Sequence, residues 1–470
     1  MLKNPFGCVK FNLRKKTNKP KGFSMRETRV AQISIFENYS KHEFGIRLKT
    51  LSHLLDTHDD ILDLISVDLI DHSRKKVGRS GLTVESVFRC LLLKQQLGIS
   101  YEKLAFHLSD SMSYRTFVRL PSHLFPCKST LQSTIRRIKP ETLEKVHHIL
   151  SSDWLKKGHL SLEKLRIDST VVSSNITPPS DSQLLNDGIR VLSRYLAKSR
   201  DITGEKIRFT DQRKKSKSLA FAIFNAKKPV KEALYPDLLK VVRIVLKQVD
   251  RALLSVKKIT ALTKSQEKWV CEVEQYRDLT IKIMDQTTRR VINKENVPSS
   301  EKIVSLFESH TDIIIKGFRD IQYGHKINLS TEKSGFITYL SIEDGNPSDK
   351  SLFLPVLEAH QKNFDSLPTS VVADGGYASK SNVSSGRDMG IKRVVFHKRV
   401  GISFHAMGVK RKTFKRLRDF RAGVEGNISE LKRAFGASKA KWKGLDGFQA
   451  FVWSSVITYN LSRLARLKPG

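Results

Sequence analysis

Residues 163–172 read EKLRIDSTVV, a short, alternating stretch rich in β-branched side chains that ends a long helical run. Alternation of this kind is what a half-buried strand shows. Asp168 stands inside it, where strand propensity disfavours an acid. Taken alone, Asp168 fits an exposed sheet face as well as a functional position. Beyond the polar, proline-bearing NITPPSDSQ, helical periodicity returns and persists. Within it Leu238, Val242, Val245, Val249, Ala252 and Val256 keep 4-3 spacing, which suits a helical-hairpin core or a zipper for a partner. Strand patterns resume in YGHKINLST (323–331), GFITYLSIED (335–344), SVVAD (370–374) and IKRVVFH (391–397), with a helix pattern at 351–364. With the helical insertion set aside, the order β–β–β–α–β–α–β–α predicts an α/β domain with a mixed sheet and flanking helices.

Upstream of the strand the pattern is all-α. LTVESVFRCLLLKQQL (82–97) places Val84, Val87, Phe88, Leu91 and Leu92 on one helix face. Residues 100–121 read as helix, turn and helix. In 127–150 Ser129 is a candidate N-cap, and Arg136, Arg137 and Lys139 form a basic trio. This pattern suits a helix-turn-helix reader of DNA, or a plain helical bundle. The chain thus divides into a basic arm (1–50), a helical, helix-turn-helix-like domain (51–160) and an α/β domain (161–470) with an insertion at about 190–310.

Charge narrows the function. The 470 residues include 84 Lys and Arg against 47 Asp and Glu, a formal net charge of +37. Such an excess costs self-repulsion and points to a polyanionic partner, nucleic acid first and an acidic membrane surface second. No apolar run reaches the ~18 residues of a membrane span, and the opening MLKNPFGCVKFNLRKK lacks the apolar segment of a secretory signal. Four scattered cysteines, Cys8, Cys90, Cys127 and Cys271, argue against a disulfide framework or zinc site and fit a reducing cytoplasm. His325, His397 and His405 share no metal-ligand spacing and read as structural.

Two further acids stand out. Asp374 ends a buried-looking strand just before Gly375 and Gly376, where ligands gather in α/β sheets or a turn simply opens. Glu425 lies in RAGVEGNISELKRAFG (421–436), amid a segment, 391–443, with sixteen Lys and Arg against three acids. On a continuous helix Arg421, Glu425 and Lys432 fall within an arc of about 40°. Gly423, Gly426 and the capping-box-like Asn427–Glu430 argue instead for a helix beginning at Asn427, with Glu425 in the preceding turn. Three converging carboxylates would suit two Mg²⁺ ions, which favour oxygen ligands and promote in-line attack at phosphorus. Trp442, in KAKWK (439–443), is either a core-edge residue or a platform for a base.

The segments RIDSTVVSSNITPPSDSQLLNDGIRVLSR (166–194), YGHKINLS (323–330), GNPSDK (345–350), VVADGGYAS (371–379) and RAGVEGNISELKR (421–433) resemble those of bacterial insertion-sequence transposases of the DDE type, ISNCY group. SYEKLAFHLSDSMSYRTFVRLP (100–121) and KSTLQSTIRRI (128–138) are similar to their helical N-terminal region. The resemblance implies a ribonuclease-H-like catalytic domain and a metal triad of Asp168, Asp374 and Glu425. It implies two Mg²⁺ ions, with Mn²⁺ as a substitute, Asp168 bridging them and the other two acids each completing one. Arg421 and Lys432 match the basic members of the signature around the glutamate, while Arg418 stands where many relatives carry tyrosine. The implied partners are double-stranded DNA, as element ends and target, and further copies of the chain in a homodimer or higher oligomer. The implied reaction is cleavage at the element ends followed by 3′-hydroxyl strand transfer. Arg136, Arg137, Arg418, Arg421, Lys432 and Trp442 are the residues expected on DNA. Other readings are a catalytically inactive DNA-binding derivative of the same fold, or a related metal-dependent nuclease.

Overall fold

The computed structural model describes residues 28–29, 39–70, 81–204, 207–259, 261–316 and 320–467. Most of the expected basic arm lies outside the described residues. Seven helices come first: α1 (Glu43–Asp56), α2 (Asp59–Leu69), α3 (Val84–Leu97), α4 (Tyr101–Asp110), α5 (Met112–Val118), α6 (Lys128–Ile135) and α7 (Pro140–Lys156). Short polar side chains start several of them. Thr83, Ser100 and Ser111 accept hydrogen bonds from backbone N–H groups of α3, α4 and α5, and Gly98 closes α3 in the left-handed conformation. The predicted apolar face of α3 is buried throughout. Two details differ from the sequence expectation. The N-cap of α6 is Cys127, so Ser129 lies inside the helix. Arg136, Arg137 and Lys139 lie in the bend between α6 and α7 rather than along a helix.

The sheet is built from β1 (Lys164–Ser173), β2 (Asp312–Lys316), β3 (Asp320–Thr331), β4 (Ile337–Ile342), β5 (Ser370–Ala373) and β6 (Arg393–Phe396). The order is β2-β3-β1-β5-β6, and β4 shares the outer edge of β3 with β2. β1 runs antiparallel to β3 and parallel to β5, as β5 does to β6. This mixed sheet is ribonuclease-H-like, with four strands in antiparallel pairing, β1 to β4, followed by two added in parallel through the helical crossovers α12 (Phe353–Phe364) and α13 (Lys380–Asp388). β2 was not legible in advance, because DIIIK is too short to show a period.

Between β1 and β2 stand α8 (Asp181–Thr203), α9 (Arg213–Asn225), α10 (Lys228–Lys257) and α11 (Lys264–Thr287). They enclose a core of their own, in which the 4-3 stripe from Leu238 to Val256 is wholly buried. The rest of the molecule shares one core, running from α1 to α7 through the sheet to α14 (Arg411–Ala434) and α15 (Leu445–Leu467). α15 is buried on nearly all sides and packs against α7, α3 and α1. A helix apolar all round needs such a position.

Several polar groups inside this core are matched. The Asn460 amide accepts from the Ile337 N–H (2.9 Å) and donates to its carbonyl (2.8 Å), pairing with β4 as a strand residue would. At the opposite edge Val394 of β6 donates to the Met407 carbonyl. His147 of α7 contacts the Ile337 carbonyl at 2.9 Å, and His360 lies 2.9 Å from Ser330 Oγ. Burial, reinforced by neighbouring histidines, holds His147 down to about 4 and His360 down to about 3. Both stay neutral in the fold, whereas in the unfolded chain they charge below about 6.5. The unfolded state therefore takes up more protons, and stability falls as pH drops from about 6.5 toward 4, by roughly 1.4 kcal/mol per pH unit for each histidine. Urea unfolding across this range should show that slope, and His360→Gln should remove one histidine's share of it.

Candidate active site

The register Ile167↔Ala373 between parallel β1 and β5 sets Asp168 beside Asp374, one residue beyond the pair on each strand. α14 crosses β1, β5 and β6 and brings Glu425 to the same place. It is one continuous helix through Gly423 and Gly426. The expected start at Asn427 is absent, because neither capping partner is available. Asn427 is buried and bonded to Arg166 and the Tyr459 hydroxyl, and Glu430 pairs with Arg463 and Arg466 of α15. Gly423 has a specific reason: a Cβ there would lie 1.8 Å from Arg166 Nη1. Arg166 cannot easily yield, since it donates to Thr331, the Phe420 and Glu332 carbonyls and Asn427. Nothing in the structure explains Gly426, beside which a Cβ would meet open space.

The three predicted acids meet on one cation. Arg421 Nη2 donates to Asp168 Oδ2 at 2.9 Å and faces Asp374 Oδ1 at 3.6 Å, while Nη1 donates to Glu425 Oε1 at 2.9 Å. Asp168 is the most enclosed, its side chain 15% exposed, and Glu425 the least, at 63%. The Arg421 Nε is buried without a partner. The guanidinium spaces the acids apart, and among the described residues no group of three acids, histidines or cysteines stands ready to hold an ion. An ion would have to take the guanidinium's place. The donor set suits that exchange, since hard carboxylate oxygens from three elements already converge on positive charge.

Sequence reasoning missed the residues behind the triad. Asp349 accepts from Ser169 Oγ (3.0 Å) and pairs with the buried Lys326 Nζ (2.7 Å), which also donates to the Pro347 carbonyl. A Cβ at Gly376 would come within 2.6 Å of Asp349 Oδ2, so this glycine allows the turn after Asp374 to close on Asp349. Burial and then the negative charge of Asp349, Asp168 and Asp374 push the Tyr377 phenol upward, and its hydroxyl donates to Asn328. The signal was the GNPSDK segment, which carries Asp349 without showing what it touches.

The basic candidates form two groups. Arg418 is partly exposed beside Asp419, and Lys432 is half-buried farther along α14. Arg136, Arg137 and Trp442 meet, although they come from opposite ends of the chain. They line a cavity of about 570 Å³ with Lys139 and Lys443, and Arg136 Nη2 donates to the Lys443 carbonyl at 2.9 Å. The Trp442 ring is only 6% exposed and packs edge-on against Phe451, which leaves little face for a base.

Residues 322–461 match the family model described as transposase DDE domain, and residues 43–137 match a second transposase domain model, DUF772. The chain thus carries a transposase DDE domain behind a second transposase domain. The first match contains Asp374 and Glu425 but begins after Asp168, so Asp168 joins them on geometry alone. Neither the curated proteins nor the solved structures yield a match. DDE transposases process DNA and are generally dependent on divalent metal ions. No helix among the described residues is long and apolar enough to cross a membrane.

Two substitutions probe this arrangement. Gly423→Ala gains ~1 kcal/mol of helix propensity but meets Arg166, and a net loss of about 1–2 kcal/mol is expected in urea unfolding. Arg421→Gln should lower the melting temperature of the protein in EDTA and enlarge the rise on adding Ca²⁺ or Mg²⁺. An equal rise in both proteins would separate the guanidinium from the ion site.

Proposed function

We propose that this transposase cuts DNA at the ends of an insertion sequence and joins the freed 3′-hydroxyl to target DNA. Asp168, Asp374 and Glu425 are the proposed metal-holding acids. The observation that carries the reading is their convergence, from β1, the end of β5 and α14, on the single Arg421 guanidinium. When bound, a pair of Mg²⁺ ions (or Mn²⁺ in their place) supplies the charge that activates the attacking oxygen and stabilises the leaving one.

In the first step a water oxygen bonds to phosphorus and the P–O3′ bond breaks, so the 3′ oxygen leaves as a hydroxyl. In the second that 3′-hydroxyl attacks a target phosphodiester, whose own P–O3′ bond breaks. The protein's part is to position the reactants and hold charge. The enclosed Asp168 forms the floor, and the exposed Glu425 stands at the mouth, where the scissile phosphate arrives. Asp349, through Ser169 and Lys326, braces β1 against the Asp374 turn. Arg421, released from the acids, is placed to meet a DNA phosphate. Lys432 and Arg418 on α14, and the cavity lined by Arg136 and Arg137, extend the basic track, so affinity should fall steeply with salt. Pairing two element ends calls for at least a dimer on DNA.

The test uses genomic DNA flanking the gene, searched for imperfect inverted repeats, as substrate with Mg²⁺. Cleavage followed by joining supports the reading; binding alone indicates an inactive derivative, and cutting without joining a nuclease. Asp168→Asn, Asp374→Asn and Glu425→Gln should each reduce cleavage by about 10²–10³-fold or more, the scale of one preorganised charged group. End binding should survive in all three. A variant that still cuts at the wild-type rate removes its residue from the triad.

A further inference from the structure

The helical insertion has its own core, and one of its helices carries a surface that this core does not use. α9 turns Ser216, Ala220 and Ile223 inward. On its outer side Phe221 and Phe224 are 70% and 71% exposed, more than any other phenylalanine among the described residues. At 100° per residue, Lys214, Lys217, Phe221 and Phe224 fall in a strip about 80° wide and ~15 Å long. α9 contains no acidic residue, and Lys227 follows the rings as the N-cap of α10. Two rings, bracketed by lysines before and after, therefore project from one basic face.

Three occupants fit such a strip to different degrees. A second copy of the same face would bring lysines against lysines, an unfavourable pairing. A lipid surface takes up helices with a broad apolar face; here the opposite side of α9 is packed into the insertion, leaving only the narrow strip. DNA meets both halves, because lysines bind its phosphates and aromatic or apolar wedges enter between base pairs.

We propose that α9 is a DNA-distorting element, in which Lys214 and Lys217 grip the backbone while Phe221 and Phe224 enter a loosened base step. This rests on the reading of the chain as one that handles DNA. A wedge of this kind pays less to open a step whose stacking is already weak.

The experiment uses the full-length protein and two random-sequence 40-base-pair duplexes, one fully paired and one with a central T·T mismatch, read by fluorescence anisotropy and permanganate reactivity. Wild type should prefer the mismatched duplex by about tenfold and raise the reactivity of the mismatched thymines. Phe221→Ala/Phe224→Ala should abolish both effects while holding the fully paired duplex within about threefold, since backbone contacts carry that affinity. Lys214→Ala/Lys217→Ala should lower the salt slope for either duplex by about two units. Both pairs are exposed, so unchanged circular dichroism and melting should accompany these results. A phenylalanine variant that keeps the mismatch preference overturns the α9 proposal and leaves the transposase reading standing. Loss of self-association without DNA, or of binding to phosphatidylserine vesicles, together with a retained mismatch preference, reassigns the strip to a second copy or to lipid. Failure of wild type to bind either duplex overturns both readings.

Discussion

One guanidinium faces three carboxylates at the centre of this molecule, and their charges do not balance. Arg421 supplies a single positive charge to Asp168, Asp374 and Glu425, leaving a formal excess of two negative charges. In a strongly basic chain such a cluster is conspicuous, and among the described residues Arg421 is paired with all three acids. Under the proposed function, divalent ions would supply positive charge here with a density that a delocalised guanidinium lacks.

The balance depends on the close approach of α14 to the sheet. Arg166 fills the space between them, bonded to β3, α14 and the turn after β3, and Gly423 is the residue that lets the helix backbone settle on it. A second brace comes from behind, where Asp349 ties β1 to the turn carrying Asp374. Further support comes from α15, whose buried face joins the N-terminal helices to the sheet in a shared core. The helical insertion stands apart from this system with its own apolar interior, which frees its outer face for other contacts.

Much of this was legible in the sequence, and for physical reasons. Five of the six strands show the alternation or β-branched density that a pleated sheet requires, and the heptad-like stripe of α10 announces its burial. Local chemistry misled where distant packing decided. The glycines and the Asn427–Glu430 pattern argued for a late start to α14, yet Gly423 answers to Arg166, more than 250 positions away, and Glu430 answers to α15. Asp349 and Lys326 stayed hidden for the same reason: nothing in either segment alone shows that they pair. The basic trio near 136 was visible, but its meeting with Lys443 is a property of the fold.

The Asn460 amide and the Met407 carbonyl have a consequence for assembly. Each occupies backbone hydrogen-bonding positions on a terminal strand, one at β4 and the other at β6. At those points the sheet has no open rung on which a neighbouring chain can add a strand. At those rungs a neighbouring copy meets a side chain or a loop rather than open backbone, so contacts there can form and dissolve, whereas a continuous intermolecular sheet would tend to persist.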